Sequence, residues 1–363
     1  MDWSGTLRQR WWVDLLTIDG LLIQELDGVT EVSVDYKVAA AVRGAGSLTV
    51  RAESIDEWRN RQVRIWVETI DQHGEADVSA ILTAMLEVGD EDRNSLRSRL
   101  PVKLLDRTVQ LNAHLATTMS CPTGTVITTQ IREWAQLLRL GQIAITESSA
   151  TTSKDMSWPP GTTWRAVFSA LCDAAGYGAI YSDAMGTLQC HPYVAPSTRP
   201  VVEILRPGRR AIHQDAVTIR TNATAIPNHL ILIASQGADT EALVAERWDW
   251  TGTPWSVDAR SREVSIVDQV EAVTQDVLEA QADSRWTALR GGSVRTSLRW
   301  RWHPRTLMDR LTVTTTAPRV SDRTSDMTIQ SMSVKAQAGR PLGLVDVELT
   351  DIGTGDDAPT GDI

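Results

Sequence analysis

On both sides of one helix-and-hairpin unit, Trp158 to Pro200, the 363-residue chain breaks into short alternating or β-branched segments. That layout excludes most folds. Before the unit come WWVDLLTID, LIQEL, EVSVDY, GSLTVRA, QVRIWVETI, AILTAMLEVG and SRLPVKLLD, separated by Gly, Asp and Asn. After it come AVTIRT, NHLILIAS, TEALVAERWDW, RTSLRWRW, RLTVTTT, MTIQSMSVKAQ and LGLVDVELTD. Strands at this spacing suggest small barrels or sandwiches, and Asp19-Gly20 and Asp27-Gly28 are turn signals of the kind hairpins use. The spacing therefore predicts a β-rich block over 1–112 and a second over 201–352, the latter interrupted by one helix near Ala272–Leu289. Residues 353–363, GTGDDAPTGDI, are small, polar and acidic, and are expected to form a disordered tail.

The intervening region, 113–200, reads as a smaller α+β domain. A helix near Thr125–Leu140 carries Ile127, Ile131, Trp134 and Leu138 on one side and stops at Gly141. A second has Trp164, Val167, Phe168, Leu171 and Ala175 at i, i+3, i+4, i+7 spacing, which aligns them on one face. Thr162 or Thr163 suits its N-cap and Gly176 its left-handed end. AIYSD and TLQCHPY then flank Asp183-Ala184-Met185-Gly186 as a hairpin, and Pro192, Pro196 and Pro200 lead the chain out. IAITE reads as a further strand. The polar loop after it, SSATTSKDMSWPPG, is long for a compact domain and is expected to be mobile or functional.

Composition narrows the class of protein. A chain of this length exceeds one ordinary core, so two or three domains are expected. Hydrophobic residues at 42% and charged residues at 23% suit a soluble globular protein. A net charge of -10 argues against a protein that grips nucleic acid through its phosphates, and is compatible with a surface that lets DNA slide past. No apolar run reaches the ~18 residues of a membrane helix, and the first residues lack a secretory pattern, so synthesis and folding in a cytoplasm are expected. The balance of 14 Trp to 4 Tyr and 1 Phe is unusual. Trp pairs an apolar body with one N–H, so these residues suit cores and contacts alike. Along LRWRW, Leu298, Trp300 and Trp302 alternate with Arg299 and Arg301, which predicts a Trp face in the core and an Arg face in solvent.

Chemistry is nearly absent from the pattern. The sequence has no G-x-S-x-G, P-loop, H-E-x-x-H or C-x-x-C motif. Cys121, Cys172 and Cys190 are odd in number and widely spaced, as reduced thiols are. Cys190 and His191 would point to opposite faces of a strand, so with Cys172 they do not make a metal site. Asp90, Asp92 and Asn94 imitate the start of a calcium loop, but Ser95 stands where Gly is needed and Pro101 where a bidentate Glu is needed. No catalytic, cofactor or metal residue is assigned, and the expectation is a non-enzymatic protein.

The order of these elements resembles tail-tip or baseplate hub proteins of long-tailed bacteriophages. Gly176, Tyr177, Asp183, Gly186, Pro192, Pro196 and Pro200 fit that family's outline of helix, Gly-Tyr, strand, Asp-x-x-Gly turn, strand and proline exit. NHLILIAS, EVSIVDQV with its following helix, and WHPRTLMDRLTV continue it, so the resemblance covers roughly residues 125–315. It implies a mainly β chain in which two β-barrel, tube-type domains flank a smaller α+β domain. It also implies a homotrimer forming a six-barrel ring that joins the tail tube to the tip and lines the DNA exit channel. The implied neighbours are distal-tail, tail-tube, tape-measure and tip or receptor-binding proteins, with genomic DNA passing through the lumen of the virion tail. The alternatives are a host-surface or carbohydrate-binding tip protein using Trp faces such as Trp248 and Trp250, and a tail enzyme that opens the cell wall.

Overall fold

The computed structural model describes residues 1–51, 60–88, 99–208, 211–214, 218–221, 226–235, 241–253, 255–291, 294–317 and 320–352. The expected acidic tail, and the Asp90, Asp92 and Asn94 imitation of a calcium loop, lie outside them.

Strand outweighs helix, 45% to 16%, so the chain is mainly β. The first block forms β1 (Arg8–Leu16), β2 (Leu22–Glu25), β3 (Val29–Lys37), β4 (Gly44–Arg51), β5 (Gln62–Ile70), β6 (Ala76–Val88) and β7 (Arg99–Asp106). These match the seven expected segments. In β5 the alternation is clean: Val63, Ile65 and Val67 are buried while Arg64, Trp66 and Glu68 lie on the other face. Each buried aliphatic side chain contributes roughly 1.5–3 kcal/mol by leaving water. Gly20 and Gly28, at φ of 86° and 77°, make the turns on either side of β2.

The middle region holds β8 (Met119–Cys121), α1 (Ile127–Leu137), β9 (Ile143–Ile145), β10 (Met156–Trp158), α2 (Trp164–Ala174), β11 (Tyr181–Ser182) and β12 (Leu188–Cys190). Thr163 caps α2, its hydroxyl accepting from the Ala166 amide at 3.2 Å, and Gly176 turns left-handed at φ 71°. Ile131, Trp134, Trp164, Phe168 and Leu171 form the centre of this region's own core. The polar loop expected to be mobile or functional makes ordered contacts with the rest of this region. Its Met156–Trp158 pairs with β8, Thr151 bridges to Val126, and Asp155 accepts from the Thr123 amide at 2.7 Å. Side-chain acceptors inside the loop satisfy backbone donors that a sequence reading leaves unassigned.

The third block divides. Two of its pieces, β13 (Val201–Leu205) and β14 (Thr218–Thr221), join β18 (Val294–Trp300), β19 (Arg310–Ala317), β20 (Val320–Gln337) and β21 (Val345–Asp351) in the sheet of the first block. The other three strands, β15 (His229–Ala234), β16 (Leu243–Trp248) and β17 (Ser265–Gln269), form a separate sheet. Between β16 and β17 lies the short helix α3 (Val257–Arg260), and after β17 comes α4 (Gln275–Gly291). Leu278 and Ala282 of α4 pack against Leu230, Leu232 and Ala245 of this small sheet.

One 13-stranded sheet thus runs β14-β18-β21-β20-β3-β4-β7-β6-β5-β1-β2, with β13 and β19 branching from β20. None of the sheets closes on itself among the described residues, so two closed barrels are not what the strand pairing draws. The physical reason is β20, which is 18 residues long. Its first half pairs with β19, and its second half, along the same edge, pairs with β3 from Ser331↔Lys37 to Gln337↔Glu31. A register shift between Ile329 and Ser331 moves the inward phase by one residue. Met327 and Ile329 before it and Met332, Val334 and Ala336 after it are therefore all buried. They share one core with Val13, Leu48, Ile65 and Leu104 of the first block and Leu298, Trp300, Leu311 and Val347 of the third. The Trp face of LRWRW is core as expected, with Trp300 1% exposed, whereas Arg299 is exposed and bonds Asp346 at 2.5 Å.

Candidate interaction surfaces

The three residues weighed together as metal ligands, Cys172, Cys190 and His191, do not converge. Cys172 of α2 and Cys190 of β12 are fully buried with sulfurs 3.8 Å apart; this contact, together with burial, pushes the Cys172 thiol well up from its ordinary value. His191 faces away, its ring nitrogens 2.7 Å from the Thr146 hydroxyl and 2.7 Å from Gln189 Oε1. Among the described residues no group of three or more His, Cys, Asp or Glu side chains is arranged to hold a metal.

Polar contacts instead fasten the α+β unit to the large sheet. The hairpin turn Asp183–Gly186 sits on β5 and β6: Arg64 donates to the Met185 carbonyl at 2.9 Å and Thr83 to the Ala184 carbonyl at 2.8 Å. Arg107, just after β7 and 6% exposed, donates to the Leu140 carbonyl at 2.7 Å and the Gly186 carbonyl at 3.3 Å. Burial pushes its guanidinium down from its ordinary value. Gly186 has φ 84°, and a Cβ there would come within 2.9 Å of Thr83. A cleft of about 860 Å³ opens beside this seam, with Lys37, Arg43, Arg199, Arg295 and Arg310 on its walls. Two of these cations are matched, Arg310 by Asp326 and Arg295 by Glu348.

Three surfaces carry unspent binding capacity. The strand β2 ends the large sheet, and the hairpin leading into it exposes Leu21, Leu22 and Ile23 at 69%, 64% and 43%. Among the described residues the strand β13 pairs only with β19, and it exposes Val201, Val202 and Ile204. Unpaired edges of this kind template pairing with another chain. The third surface is on the small sheet, where the rings of His229 and Trp248 stack at 3.3 Å and those of Trp248 and Trp250 at 4.6 Å. Sequence reading singled out the two Trp residues but not His229, which only the β15–β16 register sets opposite Trp248. The β2 edge also went unread as a surface; its signal is the unbroken run Leu21-Leu22-Ile23, which cannot alternate between an inner and an outer face.

The fold is that of bacteriophage-type tail proteins. The tail protein from Neisseria meningitidis MC58 superposes with a TM-score of 0.65 at 13% identity, over 95% of this chain and 98% of its own. The prophage MuSo2 43 kDa tail protein from Shewanella oneidensis gives 0.59 at 13% identity over 95% and 99%. The prophage tail protein gp18 from Listeria monocytogenes gives 0.52 at 8% identity over 93% and 94%. No protein-family model matches the sequence, and no curated protein does.

Proposed function

We propose that the chain is a structural, non-enzymatic component of a phage-type tail tip: a baseplate hub or minor tail protein whose three copies form a ring. The observation that carries this reading is the end-to-end likeness to tail proteins, 95% of this chain against nearly the whole of each of two of them. The β3–β20 junction adds to it, because two β-rich halves joined edge to edge already supply two neighbouring sectors of a ring. Residues 1–112 and 201–352 are the two tube-type halves, and 113–200 is the peripheral α+β domain. Three copies joined β2 edge to the next copy's free edge give six sectors, matching a six-fold tube, and bury the edges that would otherwise aggregate. Contact with distal-tail, tail-tube, tape-measure and receptor-binding proteins, and passage of DNA through the lumen during ejection and host entry, follow from that position in the virion.

The test is the mass of the purified chain by light scattering across a concentration series. A species three times the 39.9 kDa of the chain is expected. Leu22→Lys with Ile23→Lys, both on the exposed β2 strand, would return it to one chain without lowering the unfolding midpoint. A protein that stays monomeric at high concentration and fails to bind tube or distal-tail partners would sink the proposal.

A further inference from the structure

We propose that the basic cleft beside the seam is the docking site for an acidic segment of this same chain, residues 353–363, whose Asp356 and Asp357 pair with Arg43, Arg199 and Lys37. The role is independent of ring assembly. Five cations line the cleft, and Arg310 and Arg295 are taken by Asp326 and Glu348. Arg199 donates to the main-chain carbonyls of Val194 and Met308, both at 3.1 Å. Carbonyls satisfy its N–H groups and leave its charge uncompensated. Arg43 lies 5.3 Å from the centre of the Tyr181 ring, and Lys37 stands beside it, its amide donating to the Arg43 carbonyl at 2.9 Å. Among the described residues none of these three cations has a carboxylate partner. Burial pushes the Arg43 guanidinium down from its ordinary value, and the charge of Arg199 adds to the push. On the acidic side, Glu348 is engaged by Arg295, and Asp309 accepts from the Thr306 amide and hydroxyl at 2.9 and 3.0 Å. Asp351 is left facing three cations.

The chain itself supplies the occupant. Ile352, the last described residue, is on the cleft wall. Its amide donates to the Asp326 carbonyl at 2.9 Å, Asp326 pairs with Arg310, and Arg310 donates to the Arg199 carbonyl at 3.0 Å. Only two residues therefore stand between Ile352 and Arg199. The sequence that continues from Ile352, GTGDDAPTGDI, carries Asp356, Asp357 and Asp362 and no Lys or Arg. Four to five residues extend over about 13–18 Å, enough to bring Asp356 and Asp357 across a cleft of about 860 Å³. A tether this short holds the carboxylates at an effective concentration of about millimolar, which an untethered acid rarely reaches. A nucleic acid is disfavoured in the same place, because its continuous phosphate charge would meet Asp351 and Glu348 within a chain of net charge -10. Docked, the segment ties Arg43, beside β4 of the large sheet, to Arg199 at the exit of the α+β unit.

The full wild-type chain, which needs no variant to fold, is treated with a water-soluble carbodiimide at low ionic strength and mapped by mass spectrometry. An amide bond from Lys37 Nζ to Asp356 or Asp357 is expected within one chain, its water taken up by the carbodiimide. The yield should fall about fivefold or more in Arg43→Gln. Separately, Arg43 is expected to react with phenylglyoxal about fivefold faster or more once Asp356→Asn, Asp357→Asn and Asp362→Asn are combined. Free GTGDDAPTGDI peptide should slow that reaction again. The proposal is overturned if Lys37 gives no such bond, if the bond joins two chains, if Arg43 reacts equally in both proteins, or if inorganic phosphate shields Arg43 as well in wild type as in the triple variant.

Discussion

Val34 of β3 and Val334 of β20 are direct partners across an antiparallel ladder, one 0% and the other 2% exposed, although they stand near opposite ends of the chain. Two β-rich regions that look like separate bodies in the sequence meet at this pair. Val34→Ala and Val334→Ala are expected to cost about 1.5–3 kcal/mol each. The double variant should depart from additivity by about 0.5 kcal/mol or more, because the residues touch. Urea unfolding of the four proteins measures this, and strict additivity would argue that the halves are energetically separate.

The register shift in β20 makes a sharper prediction. Deleting Ser333, inside the regular alternation, would turn Lys335 inward and Val334 and Ala336 outward, since side chains alternate with period two; deleting Gln330, at the shift, leaves Ile329, Met332, Val334 and Ala336 all inward. The Ser333 deletion is expected to abolish cooperative folding, while the Gln330 deletion should leave a cooperatively folded protein. Circular dichroism melts distinguish the two, and a cooperatively folded Ser333 deletion would contradict the register.

Arg107 joins the α+β unit to the sheet from a buried position, and its loss strands the Leu140 and Gly186 carbonyls. Arg107→Ala should lose about 2–4 kcal/mol. Gly141→Ala is expected to destabilise for the same reason from the other side: φ is 73°, and a Cβ would stand 2.2 Å from Arg107 Nη2. Limited proteolysis should cut 113–200 sooner in both variants than in wild type.

Glu203 of β13 sets an acid limit. Burial pushes its carboxyl up, but the hydrogen bond from His303 at 2.8 Å and the charges of His303 and Arg305 outweigh burial and hold it below the ordinary carboxylate range. Folding therefore weakens its hold on a proton. Its contribution is complete above the unfolded value of about 4.5 and disappears as pH falls through the lower folded value. Glu203→Gln should cost about 1–3 kcal/mol at pH 7 and give a shallower loss of stability below pH 4.5. Unfolding midpoints from pH 7 to pH 3 test this, and parallel curves would refute it.

Trp300 and Arg299 separate the two faces of one strand. Trp300→Ala removes a nearly fully buried indole and is expected to cost about 3–5 kcal/mol. Arg299→Ala breaks only an exposed pair with Asp346 and should cost under about 1 kcal/mol, less in high salt. Equal effects in thermal melts would mean the faces are assigned wrongly.

Local signals carried the elements, and long-range pairing stayed hidden. Thr163, Phe168 and Gly176 announce α2 within fourteen residues, because caps and helix periodicity are local. The seven strands of the first block are legible for the same reason. Nothing local says that β20 leaves β19 and continues along β3, although the break of alternation in MTIQSMSVKAQ, from Ile329 to Met332, is its trace. β13 went unread because Val201-Val202 follows a proline exit and pairs parallel with β19, 109 positions away at Val201↔Arg310. The Trp stack was half legible: Trp248 and Trp250 share a side by alternation, whereas His229 reaches them only through sheet register.

The shared strand β20 also governs how the molecule can move. A hinge between the two halves would need a flexible crossing, yet the chain crosses as an extended strand laddered to β3 over seven residue pairs. A pull along the strand direction loads those hydrogen bonds in shear, all at once, instead of peeling them one by one. Each chain therefore behaves as one stiff segment. In the ring proposed above, dilation would take place at the joints between copies, where β2 would meet the next copy's free edge.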